Sequence, residues 1–157
     1  MKANEYQIDG KHYKTAYEHW DYALDAGLGS MEYAATKHLG RFHKKGEPIM
    51  DLEKALHYVQ KLLENVTLVM FLCPRDRFTS EYLSEVADRF IEASEIPEGI
   101  DTAVLLLTYW TLPSDLYDAM DHIQEELAAQ RAAMESLKDA KPVPLEDSNK
   151  HAPRSTM

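Results

Sequence analysis

The chain has a single cysteine, Cys73, so it can form no internal disulfide, and a zinc site would lack the second thiolate that usually anchors one. We read Cys73 as packed at a helix end rather than reactive. Long apolar runs are missing too: the longest, AVLLLTYWTL at 103–112, is about half of what a membrane-spanning helix needs. The opening MKANEYQIDG has no hydrophobic stretch of the secretory kind, so we expect a cytoplasmic protein with no membrane attachment. Basic charge is scarce. Seventeen Lys and Arg face 27 Asp and Glu, for a net charge of −10, which disfavours nucleic acid as a partner because a duplex binder shows a basic face. Six glycines are spread so that neither G-x-x-x-x-G-K-[ST] nor G-x-G-x-x-G occurs, which excludes the usual phosphate-cradling loops. No Ser/His/Asp or Cys/His order suggests a nucleophilic triad.

What is present is an ordinary globular composition, 45% hydrophobic and 28% charged, in a length that suits one domain. Helical periodicity dominates and no stretch alternates apolar and polar residues. The expected fold is therefore all-α, a compact bundle of about five to six helices over residues 1–139. A flexible tail should follow at 140–157, where KPVPLEDSNKHAPRSTM combines prolines and polar residues without periodicity.

In TAYEHWDYALDAG the residues Tyr17, Trp20, Ala23 and Leu24 fall at helical spacing, and Gly27 suits a left-handed stop. Ser30 can cap a second helix over 31–45, ended by Gly46 and Pro48. Asp51 is the natural cap of a third, with Leu52, Ala55, Leu56, Val59, Leu62, Leu63 and Val66 on one side. Thr79 or Ser80 opens a fourth. The segment 100–112 is apolar nearly all round, which places it in the middle of the bundle or in an oligomer interface. Ser114 or Asp115 opens a long amphipathic helix running to about Leu137.

Charge is uneven within this frame. Residues 1–64 hold nine Lys or Arg against ten Asp or Glu, whereas 65–157 hold eight against seventeen. The one basic cluster is KHLGRFHKKG at 37–46, with no carboxylate between Glu32 and Glu47. If the second helix runs to 45, then Lys37, Arg41, Lys44 and Lys45 share roughly a third of its circumference. A solvated face near a helix C-terminus is one reading of that stripe. An anion site completed by the N-terminus of the third helix, with Lys54 and His57 on one side, is the other. Asp51 and Glu53 would then serve either as cap and dipole partners or as carboxylates holding magnesium against phosphate. Two acidic stripes, Glu81, Glu85, Asp88 and Glu92, and Asp115, Asp118, Asp121, His122 and Glu125, have the spacing of a magnesium-dependent pyrophosphohydrolase. We read both as solvated faces.

GKHYK at 10–14, then KHLGRFHKKG, then DLEKALHYVQKLLE at 51–64 occur in an order that resembles a small phage-encoded family of mostly unknown function. Its pattern is an HY pair, a K-Y-x-x-R-x-x-x-K segment and a D-L-x-K-A-x-x-Y helix. The family includes a phage nucleotide kinase that lacks a Walker loop and acts on deoxynucleoside monophosphates. The likeness covers residues 6–64; residues 65–157 show no family pattern. It implies a nucleotide kinase in the infected host's cytoplasm, with a nucleoside triphosphate as phosphate donor; Mg2+ is the candidate cofactor, from the carboxylate reading of Asp51 and Glu53. By resemblance Arg41, Lys45 and His12 are the catalytic candidates. Tyr13, Lys37, Lys54 and Tyr58, which match the pattern, and Lys11, Lys44 and His57 beside them are the substrate-binding candidates, and Asp51 is the metal candidate. The chain departs from the pattern at His38, where the family has an aromatic residue. We read His38 as a packed histidine with one nitrogen satisfied. Two other readings stay open: a protein that binds a nucleotide or nucleotide signal without chemistry, with countering host defence as its role, and a structural helical adaptor. A homo-oligomer assembled through residues 65–139 is expected, since 103–112 and the last helix compete for one core.

Overall fold

The computed structural model describes residues 16–72 and 77–139. These form α1 (His19–Asp25), α2 (Ser30–Leu39), α3 (Pro48–Glu64), α4 (Val66–Leu72), α5 (Ser80–Ser94), α6 (Ile100–Tyr109) and α7 (Pro113–Asp139), with no strand among them. The all-α helical bundle is as expected. Cys73, the expected tail at 140–157, and Lys11, His12 and Tyr13 lie outside the described residues. No helix among the described residues is long and apolar enough to cross a membrane.

One helix more is present than the periodicity counts, because the third apolar stripe breaks at Asn65. Its side-chain amide donates to the Lys61 carbonyl at 2.8 Å, which satisfies a helix-end carbonyl and starts the chain again as α4. Boundaries also move at α2 and α3. The second helix stops at Leu39, with Gly40 as its C-cap, and residues 40–45 continue as turns to Gly46, whose φ is +76°. Helix α3 starts at Pro48 rather than Asp51. Proline fits the first helical position, where its missing N–H costs nothing, and this sets Asp51 one turn inside the helix. At α1 the Leu28 N–H reaches back to the Ala23 carbonyl at 2.9 Å across Gly27, whose φ is +60°: the glycine stop foreseen there. The helix itself begins at His19, so its buried face is Tyr22, Ala23 and Ala26, while Trp20 and Leu24 are exposed.

Helix α3 packs on α2 and α7, and α6 packs on α5, α7 and α2. Ile100, Ala103, Val104, Leu107 and Trp110 are buried within this one chain, so the apolar segment occupies the middle of the bundle. Leu116, Ala119, Ile123 and Leu127 of α7 share the same core with it, so the two helices do not compete.

Candidate functional site

The turn at 40–47 brings the end of α2 beside the start of α3, and this places His38 against Asp51. His38 Nδ1 lies 2.7 Å from Asp51 Oδ1, with 12% and 5% of the two side chains exposed. A carboxylate only accepts, so neutral His38 donates from Nδ1 and its lone pair sits on Nε2. Nε2 has no hydrogen-bond partner among the described residues. Arg41 Nη2 donates to the same Asp51 oxygen at 3.3 Å. It also stands 3.1 Å from His38 Nδ1, a contact between two donors in this tautomer and therefore not a hydrogen bond. Asp51 Oδ2 is buried without a hydrogen-bond partner among the described residues. Burial pushes the His38 pKa down; the Asp51 hydrogen bond partly opposes this, while Arg41 and Lys54 add to it. The ring thus stays neutral near pH 7. Tyr58, two turns beyond Asp51, stacks on the imidazole at 5.9 Å and 14°.

The stripe expected on α2 is not one surface, because the helix ends before most of it. Lys37 is still helical, its ammonium 6.0 Å from the centre of the Tyr33 ring. Lys44 leaves for the end of α5, 3.7 Å from Glu95. Lys45 is exposed in the turn, and Lys54 and His57 are exposed on α3. Of the residues singled out from sequence, the structure gathers Arg41, Asp51, Lys54 and Tyr58 around His38, and it sends Lys44 elsewhere. Asp51 is not the cap of α3, a position held by Glu47, and its Oδ1 is shared by His38 and the Arg41 guanidinium. Glu53, the other carboxylate weighed for magnesium, pairs with Arg131 at 2.7 Å. Among the described residues no three His, Cys, Asp or Glu side chains come together as a metal site. The acidic side chains of α5, Glu81, Glu85, Asp88 and Glu92, are exposed, and α6 packs between α5 and α7.

Sequence reasoning missed the polar interior behind this face. His19 Nε2 lies 3.0 Å from the Thr36 hydroxyl, which donates to the Glu32 carbonyl at 2.7 Å and therefore accepts the histidine's proton. His19 Nδ1 is buried and has no hydrogen-bond partner among the described residues. The ring sits among Tyr22, Tyr33 and Phe90. Burial, then the charges of Lys37, Arg41 and His38, lower its pKa to about 3. Nearby, the Thr108 hydroxyl donates to the Val104 carbonyl at 2.6 Å, so the Tyr22 hydroxyl donates to Thr108, also at 2.6 Å. Burial drives the Tyr22 pKa upward. Trp110 Nε1 donates to Glu32 Oε1 at 3.0 Å, holding a carboxylate that is 1% exposed. No sequence signal pairs residues 78 positions apart, and a histidine beside a tryptophan reads as surface as easily as core.

A separate small cleft of about 30 Å³ between Gly27, Phe78, Leu83, Thr108 and Tyr109 falls far short of a nucleotide site, which needs a few hundred. Comparison with protein-family models, with curated proteins and with solved structures found no match for this chain.

Proposed function

We propose that the α2–α3 face binds nucleotide phosphates and that the protein is a nucleotide kinase, moving a phosphoryl group from a nucleoside triphosphate to a nucleoside or deoxynucleoside monophosphate. The observation that carries this reading is the cluster of His38, Arg41 and Asp51 with Lys54 beside it: a part-buried imidazole held through Nδ1, with cations close by. Phosphoryl transfer asks for positioning and charge neutralisation more than covalent work, so it needs no glycine-rich loop. Magnesium arrives on the triphosphate as part of the substrate. The family likeness of residues 6–64 supplies the substrate class, the phage origin and the cytoplasm of an infected host as the setting. Incubating the full chain with each monophosphate and a panel of triphosphates, with magnesium, is expected to yield diphosphates. No turnover in any pairing overturns the kinase.

A second reading, binding of a nucleotide or nucleotide signal without chemistry, is favoured by the ion pair that Arg41 already makes with Asp51. Under it the ligand binds saturably, is recovered unchanged, and is lost from Arg41→Ala. We also propose a homo-oligomer of identical chains, supported by the uncovered apolar surface of α4, on which no residue is buried.

A further inference from the structure

We infer that His38 is a covalent relay in the proposed transfer, its Nε2 taking the phosphoryl group from the triphosphate and passing it to the acceptor. This rests on the kinase reading above. The acceptor of a monophosphate kinase is a phosphate oxygen that is already largely ionised near pH 7, so a general base at this site would have little to deprotonate. An imidazole whose Nδ1–H is fixed by a buried carboxylate at 2.7 Å, with its lone pair directed away on Nε2, is the arrangement of an activated nucleophile. Tyr58 stacked on the ring restricts its tilt.

In the first step the Nε2 lone pair forms a bond to the γ-phosphorus while the bond from that phosphorus to its bridging oxygen breaks, and the electron pair leaves on the nucleoside diphosphate. The ring gains positive charge and keeps its Nδ1 proton, and Asp51, with one oxygen on that proton and the other buried without a hydrogen bond, is the counter-charge. In the second step an oxygen of the monophosphate bonds to phosphorus, the N–P bond breaks, and its pair returns to Nε2. No proton is consumed and no redox partner is required. Lys54, exposed on α3 and acting on His38 through its charge, is the cation this scheme assigns to the phosphoryl oxygens. Asp51 is a positioning residue in this scheme.

The test uses the full chain, γ-labelled triphosphates of each base, and magnesium, with no monophosphate added. The expected result is label on the protein that survives alkali and is lost in mild acid. Isotope should exchange between triphosphate and diphosphate, and adding monophosphate should chase the label into new diphosphate. His38→Gln should abolish both labelling and exchange while retaining the helical circular dichroism of the parent. Asp51→Asn should slow exchange by about 100-fold or more with little change in KM for the triphosphate. Diphosphate formed without label or exchange overturns the relay and leaves the kinase standing. Neither diphosphate nor label overturns both. Because labelling and exchange are measured on the unaltered protein, they decide the question even if His38→Gln does not fold.

Discussion

His19 shows what a single buried side chain costs when its environment cannot accept charge. Its folded pKa, about 3, lies below the ordinary 6.5 of the unfolded chain, so between those values the unfolded state binds the extra proton. Stability is therefore complete above about pH 6.5 and falls as the pH drops toward 3. By pH 5 the loss from this group amounts to about 2 kcal/mol. His38 and His43, both pushed down by burial, act in the same direction. Urea unfolding at pH 7.5 and pH 5 should show that loss in the parent. In His19→Phe, which keeps an aromatic ring among Tyr22, Tyr33 and Phe90, the pH dependence should shrink by about the same amount; equal dependence in both would refute the assignment. Arg41 and Lys54 were visible in the sequence as members of a candidate site because charge and helical position mark them, and Tyr58 only through the family resemblance. Asp51 was visible as important but not for its role, since one turn of difference in where α3 starts turns a cap into a buried partner of His38. The Glu32–Trp110 and His19–Thr36 contacts had no local signature at all.

Helices were the most legible level, because an apolar stripe and its stops are local properties. Five of the expected cores survive with small shifts at their ends, and Thr79 caps α5 as foreseen, accepting the Tyr82 N–H at 3.2 Å. The first helix presents a different face, and α2 ends early; these are failures of boundary rather than of kind. The end of α2 is also a point of close packing. A Cβ at Gly40 would stand 2.6 Å from Phe90 Cζ, so α2 and α5 meet there at a distance that only glycine allows. Phe90 cannot easily retreat, being 2% exposed and stacked on Tyr22 at 4.2 Å and 5°. Gly40→Ala should accordingly destabilise the fold by about 1–3 kcal/mol through overpacking, although alanine alone would favour a helix end over glycine. Phe90→Leu placed on top of Gly40→Ala should recover part of the loss, giving a favourable coupling in a double-mutant cycle of urea midpoints. Strict additivity would mean that the two residues do not press on each other.

Across the whole molecule, the single core joins α1, α2, α3, α5, α6 and α7, and α4 contributes only half-buried Val66 and Val69. Sequence reasoning placed the surplus apolar surface on the 103–112 segment, because it is the longest apolar run. The bundle absorbs that segment, and the surplus appears on α4 instead, where Leu68, Met70, Phe71 and Leu72 are exposed, Phe71 by 82%. Four large apolar side chains on one short helix are hard to reconcile with a protein that stays monomeric at high concentration. A second copy is the partner that any sample of the protein supplies, and a symmetric pairing lets each α4 cover the other. Light scattering at tens of micromolar should give a mass that is a multiple of the 18.0 kDa chain. Phe71→Asp should lower that mass toward the single chain and leave the urea midpoint of the separated chain nearly unchanged, because so exposed a side chain contributes little to the core. A parent that scatters as one chain at that concentration overturns the oligomer, whereas a shifted midpoint in Phe71→Asp with unchanged mass would make α4 a piece of the fold and not of an interface.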